Sequence, residues 1–141
     1  MIRVIIDTNV LISGTFWSSS SFQILRLIDE KHLVLIVSQP ILAEYDEVLH
    51  REEIMEKQAY SEERAESSAK IVAHAHLVDP QLLFHIIKDD PDDDKFIDAA
   101  IEGKATYIIS KDNHLLSIRE FEGIKIVTPD EFMILFGSLK K

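Results

Sequence analysis

The 141-residue sequence has no cysteine, and it contains only four glycines and four prolines. The lack of cysteine excludes disulfides and thiolate zinc sites and fits a reducing cytoplasm. No apolar run approaches the roughly 20 residues of a membrane span, and the first such run is cut by Asp7, unlike a signal peptide. We therefore expect one cytoplasmic domain over residues 1–137, with no membrane contact and a short basic tail at 138–141.

Positive charge is also scarce. The chain has 15 Lys and Arg against 25 Asp and Glu, which gives a formal net charge of −10. A protein that binds nucleic acid through its phosphates is normally basic, so the net charge alone argues against such a substrate. That objection weakens if several acids surround bound cations, because a bound metal inverts the local sign of the charge. The same net charge would also suit a basic protein partner.

Strand-like and helix-like segments alternate along the chain. Residues 3–6 form a short β-branched run, and Leu33–Val37 is a continuous apolar run typical of a buried strand. Tyr107–Ile109 and Ile124–Val127 are also predicted to be strands. Helical patterns are predicted at residues 22–30, from Ser38 to Leu49, at 61–76, after Pro91 and from Pro129 onward. Thr128 and Glu131 form a capping-box pattern for the last helix, and Gly137 is expected to end it. This alternation predicts an α/β fold with a parallel sheet covered on both faces.

Acidic residues follow the predicted strands. Asp7 comes directly after the first strand, and Asp112 stands three residues after the strand Tyr107–Ile109. Because parallel strands end at one edge of a sheet, where sites of α/β proteins form, these two acids should lie close together. Glu44 lies about two turns into the helix after the second strand, on the margin of its apolar stripe. Asp92–Asp94 open a further helix.

Each acid also has an ordinary structural interpretation. Asp7 and Asp112 can cap the helices that follow them, and Glu44 can be a solvated helix residue. Asp92–Asp94 can interact with the helix dipole, for about 0.3–1 kcal/mol each. Three or four carboxylates at one edge would nevertheless repel one another, and a cation is the usual remedy. Oxygen ligands without cysteine favour Mg²⁺ or Mn²⁺, which can promote the attack of water at phosphorus.

Four segments, taken as a set, resemble the PIN-domain family. They are residues 7–10 (DTNV), Glu44, residues 90–97 (DPDDDKFI) with Ala99 and Ala100, and residues 107–112 (YIISKD). The order and spacing of all four agree with the family, and the resemblance runs from residue 2 to residue 136. It is closest to the prokaryotic branch of toxin components of toxin–antitoxin pairs.

The resemblance implies a three-layer α/β/α sandwich around a central parallel sheet of four to five strands, and a metal-dependent endoribonuclease that uses Mg²⁺ or Mn²⁺. It implies that the residues that bind the metal and catalyse are Asp7, Glu44, Asp93 and Asp112. Asn9, Ser110 and Asp94 would be supporting polar residues. The resemblance also suggests an RNA substrate, a small antitoxin partner and a homodimer.

The third acid is open among neighbouring residues. Asp92, Asp93 and Asp94 compete for this role, and Asp90 is a further alternative. Asp93 best matches the family's spacing to the following helix, and we choose it.

Two other functions are compatible with the same acids. A phosphatase or phosphotransferase with Asp7 as nucleophile would normally have a second acid two residues on, but that position is Asn9. A non-catalytic acidic module could instead bind a basic partner. Lys111 can reach a phosphate, although a solvated lysine is the simpler interpretation, and His114 is expected to have a surface or capping role.

Overall fold

The computed structural model of the chain describes residues 1–17, 19–51, 62–81 and 93–139. In these ranges the strands are β1 (Ile2–Ile6), β2 (Leu33–Val37), β3 (His76–Leu77), β4 (Tyr107–Ile109), β5 (Glu120–Phe121) and β6 (Ile124–Val127). The helices are α1 (Thr8–Phe16), α2 (Ser19–Asp29), α3 (Gln39–Leu49), α4 (Glu62–Ala73), α5 (Asp94–Glu102), α6 (Asn113–Leu116) and α7 (Pro129–Leu139). None of these helices is long and apolar enough to cross a membrane.

The strands form one sheet in the order β3-β2-β1-β4-β6-β5. Every neighbouring pair is parallel except β5 with β6, which is antiparallel. The predicted α/β fold class is confirmed, and five of the strands run parallel. Strands β3 and β5 were not predicted, because each has only two residues and is too short to give a periodic signal.

Both faces of the sheet are covered. Val4, Ile5 and Ile6 are fully buried, although consecutive strand residues point to opposite faces. From β1 through β2 to β3 the chain moves one way along the sheet, and from β3 through β4 to β6 it moves the other way. Because parallel crossovers are right-handed, the two sets of connecting helices lie on opposite faces. Helix α5 accordingly packs on β1, β2 and β4, while α2 packs on α1, α4 and α7.

The change of direction defines a crevice beyond the carboxyl ends of β1 and β4. These strands are neighbours, with Ile6 opposite Ile109, but their following connections leave in opposite directions. Such a switch point is where ligands bind in open α/β sheets. The backbone N–H of Asp7 donates to the carbonyl of Ile109 at 3.0 Å, so β1 and β4 are still paired where the crevice begins.

Three predicted helix ends are wrong. The helix predicted at residues 61–76 ends at Ala73 as α4, and His76 instead pairs with Ile36 as part of β3. Helix α2 begins at Ser19 and not at residue 22 as predicted, while Ser18 is outside the described residues. Ser21 is fully buried, so the helix places a small side chain where α1 comes close. Helix α7 continues past Gly137 to Leu139, but its predicted capping box is confirmed. The N–H of Thr128 donates to Glu131 Oε1 at 3.0 Å, and the N–H of Glu131 donates to Thr128 Oγ1 at 3.1 Å.

Helices α1 and α2 are in close contact at Gly14, so a methyl group added there should destabilise the fold. A Cβ at Gly14 would lie 2.8 Å from both the Leu25 side chain and the Ser21 carbonyl oxygen. Gly14→Ala should therefore lower the free energy of unfolding by about 1–3 kcal/mol, measured by urea denaturation. Gly137→Ala is the matched control, because nothing lies within 4 Å of its Cβ position, and it should be neutral or slightly stabilising. A Gly14→Ala protein as stable as the parent would contradict this packing.

Candidate metal centre

Asp7 connects the end of β1 with the end of β4. It is the N-cap of α1, and its Oδ1 accepts a hydrogen bond from the N–H of Val10 at 2.9 Å. Its Oδ2 accepts from the hydroxyl of Ser110 and from the N–H of Lys111, the latter at 3.3 Å. The capping interpretation of Asp7 is therefore correct for one carboxylate oxygen, while the other oxygen faces the end of β4.

Ser110 links two of the predicted acids. Its fully buried hydroxyl donates to Asp7 and accepts from the backbone N–H of Asp112 at 2.9 Å. The backbone N–H of Ser110 donates to the carbonyl of Val127 at 2.9 Å, which fixes the residue to β6 as well. The hydroxyl thus holds the loop after β4 against the carboxylate at the end of β1.

Burial destabilises the ionised form of Asp7. Loss of hydration raises the pKa of the Asp7 carboxyl above its usual range, and the hydrogen bonds from Ser110, Val10 and Lys111 offset this only in part. The negative charge of Asp112 raises the same pKa further, so the two acids interact electrostatically. A cation placed beside both carboxylates would relieve this repulsion.

Tyr45 lies beside the same crevice. Its hydroxyl donates to the carbonyl of Ile6 at 2.6 Å, and its ring is buried. Burial raises the pKa of the Tyr45 hydroxyl well above its usual value, and the charges of Asp7 and Glu44 raise it further. Tyr45 therefore remains a neutral donor. Because the charges of Asp7 and Glu44 both raise its pKa, both acids lie close to its hydroxyl.

Glu44 reaches this edge from α3, but donors of the chain already hold its carboxylate. One oxygen accepts from the hydroxyl of Thr8, and Lys95 Nζ lies 2.8 Å from the other. The Lys95 side chain is 15% exposed, and the Glu44 side chain is 27% exposed. Lys95, on α5, therefore neutralises one of the negative charges of the crevice.

A compact group of possible ligands forms where α5 begins and β4 ends. One carboxylate oxygen each of Asp93 and Asp112 and one ring nitrogen of His114 all lie within 4.8 Å of one another. Asp93 is buried and makes no side-chain hydrogen bond that caps α5. Asp112 Oδ1 accepts from the N–H of His114 at 2.8 Å, so Asp112 also caps α6. The chosen third acid is thus adjacent to the fourth.

The remaining candidates differ in position. Asp94 is buried in the first turn of α5, whereas Asn9 is exposed and makes no hydrogen bond to these acids among the described residues. Asp90 and Asp92 lie outside the described residues. The sequence pattern did not predict that His114 lies beside these acids. The one local indication is that an acid and a histidine stand two residues apart just after a strand ends.

The donors fit a hard divalent ion. Asp93 and Asp112 supply adjacent carboxylates, and Asp7 is joined to Asp112 through Ser110. Carboxylate oxygens without thiolates suit Mg²⁺ or Mn²⁺, and the neighbouring imidazole is also compatible with Mn²⁺.

Two comparisons relate the chain to known proteins. A family model described as PIN domain matches residues 3–114, a range that contains Asp7, Glu44, Asp93, Asp112 and His114. A relative from Methanocaldococcus jannaschii, the uncharacterised protein MJ1680, is 30% identical to the chain. That alignment covers 94% of this chain and 90% of the relative.

The raised pKa of Asp7 predicts how stability depends on pH. A carboxyl whose pKa is higher in the folded than in the unfolded state stabilises the fold below the unfolded pKa, and this contribution is lost as the pH rises through the folded pKa. Asp7→Asn cannot ionise, so in chelator-treated buffer its free energy of unfolding should fall less than that of the parent as the pH rises from acidic to neutral values. Urea denaturation between acidic and neutral pH measures this difference.

Asp29→Asn is the matched control, because it removes an exposed carboxyl that is not part of the candidate site. An Asp7→Asn protein whose stability falls as steeply with rising pH as that of the parent would contradict the raised pKa of Asp7.

Proposed function

The chain belongs to the PIN-domain family, and we propose that it is a metal-dependent endoribonuclease that hydrolyses RNA phosphodiester bonds. The family consists generally of nucleases, so the chain falls in the hydrolase class. RNA as the substrate and Mg²⁺ or Mn²⁺ as the cofactor are the finer parts of the proposal. The observation that carries it is the meeting of Asp7, Asp93 and Asp112 at the switch point of the sheet.

We assign metal binding and catalysis to the four acids of the family pattern, which are Asp7, Glu44, Asp93 and Asp112. A bound divalent ion would increase the acidity of water and neutralise charge on the phosphate. Ser110 orients the Asp7 carboxylate and keeps Asp112 beside it. Glu44 would join this set only by exchanging its contact with Lys95, because Thr8 and Lys95 now hold both of its oxygens.

Two cations next to the acids support a polyanionic substrate in spite of the net charge. Lys95 is held against Glu44, and Lys111 is exposed beside the end of β4, where its ammonium group donates to Ser13 Oγ at 2.7 Å. Lys111 could exchange this hydroxyl for an RNA phosphate at little cost, because both groups are exposed. The two lysines and the metal together would offset the repulsion between the acidic protein and RNA.

The carboxylate geometry speaks against Asp7 as a nucleophile. Both of its oxygens accept hydrogen bonds from the chain, and Asn9 stands where a phosphatase of that type would carry its general acid. As part of the proposal, the chain is a cytoplasmic toxin that pairs with a small antitoxin and forms a homodimer. This part rests on the resemblance to the toxin branch of the family.

The proposal is tested by cleavage of labelled single-stranded RNA after chelator treatment and addition of Mg²⁺ or Mn²⁺. The parent should cleave only with metal. Asp93→Asn and Asp112→Asn should each lose about 100-fold or more in rate, which exceeds the loss typical of residues that only orient a metal ligand. Asp29→Asn, at the opposite edge of the sheet, should retain full activity.

Cleavage without added metal, or equal rates for the site variants and the parent, would remove the proposal. A parallel assay with single-stranded DNA of the same sequence tests the choice of RNA, and preferential cleavage of DNA would contradict it.

A further inference from the structure

His114 stands within reach of two proposed metal ligands although the family pattern is built on acids. Its ring nitrogen, one oxygen of Asp93 and one oxygen of Asp112 lie within 4.8 Å of one another. The Nδ1 of His114 is 3.7 Å from Asp112 Oδ1, which is too long for a hydrogen bond between the two side chains. The imidazole therefore faces the carboxylate without being bonded to it.

This spacing is close to that of two ligands on one ion. A nitrogen at about 2.1 Å and an oxygen at about 2.1 Å from the same divalent ion lie roughly 3–3.5 Å apart. A small side-chain rotation would bring His114 to that separation, because its side chain is 48% exposed and can rotate. The backbone is already fixed, since the N–H of His114 donates to Asp112 Oδ1 at 2.8 Å.

We propose that His114 is a ligand of the divalent ion and gives this centre a preference for Mn²⁺ over Mg²⁺. The inference rests on the proposed metal-dependent function. Imidazole nitrogen is a good ligand for first-row transition ions, whereas Mg²⁺ binds oxygen almost exclusively and gives up its water reluctantly. A centre of Asp93, Asp112 and His114 thus distinguishes the two ions by the chemistry of one side chain.

Pulsed electron paramagnetic resonance of the Mn²⁺-loaded full chain tests the inference without an activity measurement. The parent should show the nitrogen modulation of a directly coordinated imidazole, and His114→Asn should lose it. His32→Asn is the matched control. His32 is exposed at the amino-terminal end of β2, whereas the site lies at the carboxyl ends of the strands, so its replacement should leave the signal intact. Absence of the nitrogen signal from the parent, or its persistence in His114→Asn, would overturn the inference.

Calorimetric titration with each ion gives a second readout. His114→Asn should weaken Mn²⁺ binding by about 100-fold or more, because loss of a ligand should cost at least as much as loss of a residue that only supports one. Mg²⁺ binding should weaken less than about 3-fold, because Mg²⁺ gains little from the imidazole. Equal weakening of both ions, or of neither, would overturn the preference. If the parent cleaves RNA with metal but shows no nitrogen signal, only the role of His114 falls. If no metal binds to the parent, the proposed function falls with it.

Discussion

The hydroxyl of Ser110 is the contact on which the candidate site depends. It donates to Asp7 at the end of β1 and accepts from the backbone of Asp112 after β4, so one side chain fixes the relative position of two acids from distant parts of the sequence. The hydroxyl can do this only because β1 and β4 are neighbours in the sheet and end at the same level. The geometry of the site therefore depends on the order of the strands in the sheet.

The negative charges of the site destabilise the fold, and neighbouring side chains offset part of this destabilisation. Asp7 is buried, and its pKa is raised even though three donors bind its carboxylate. Lys95 neutralises Glu44, and Tyr45 remains a neutral donor beside both acids. Asp93 and Asp112 stand next to each other, and this is where a divalent ion would stabilise the protein most.

Much of this arrangement could be predicted because it depends on local patterns. The strands Tyr107–Ile109 and Ile124–Val127 are apolar runs with the bounds expected, and the positions of Asp7 and Asp112 follow from strand ends. The contact between Lys95 and Glu44 joins two helices far apart in sequence, so no local pattern reports it. The proposed role of His114 could not be predicted from the sequence, because an exposed histidine next to a capping acid is usually structural.

Anomalous diffraction from crystals of the full chain soaked in Mn²⁺ is the most direct test of the central claim, which is that these carboxylates form a metal centre at the switch point. The account predicts a strong anomalous peak between the carboxylates of Asp93 and Asp112, on the side of Asp7. Well-ordered carboxylates with no peak between them, or peaks confined to other acidic residues, would contradict it.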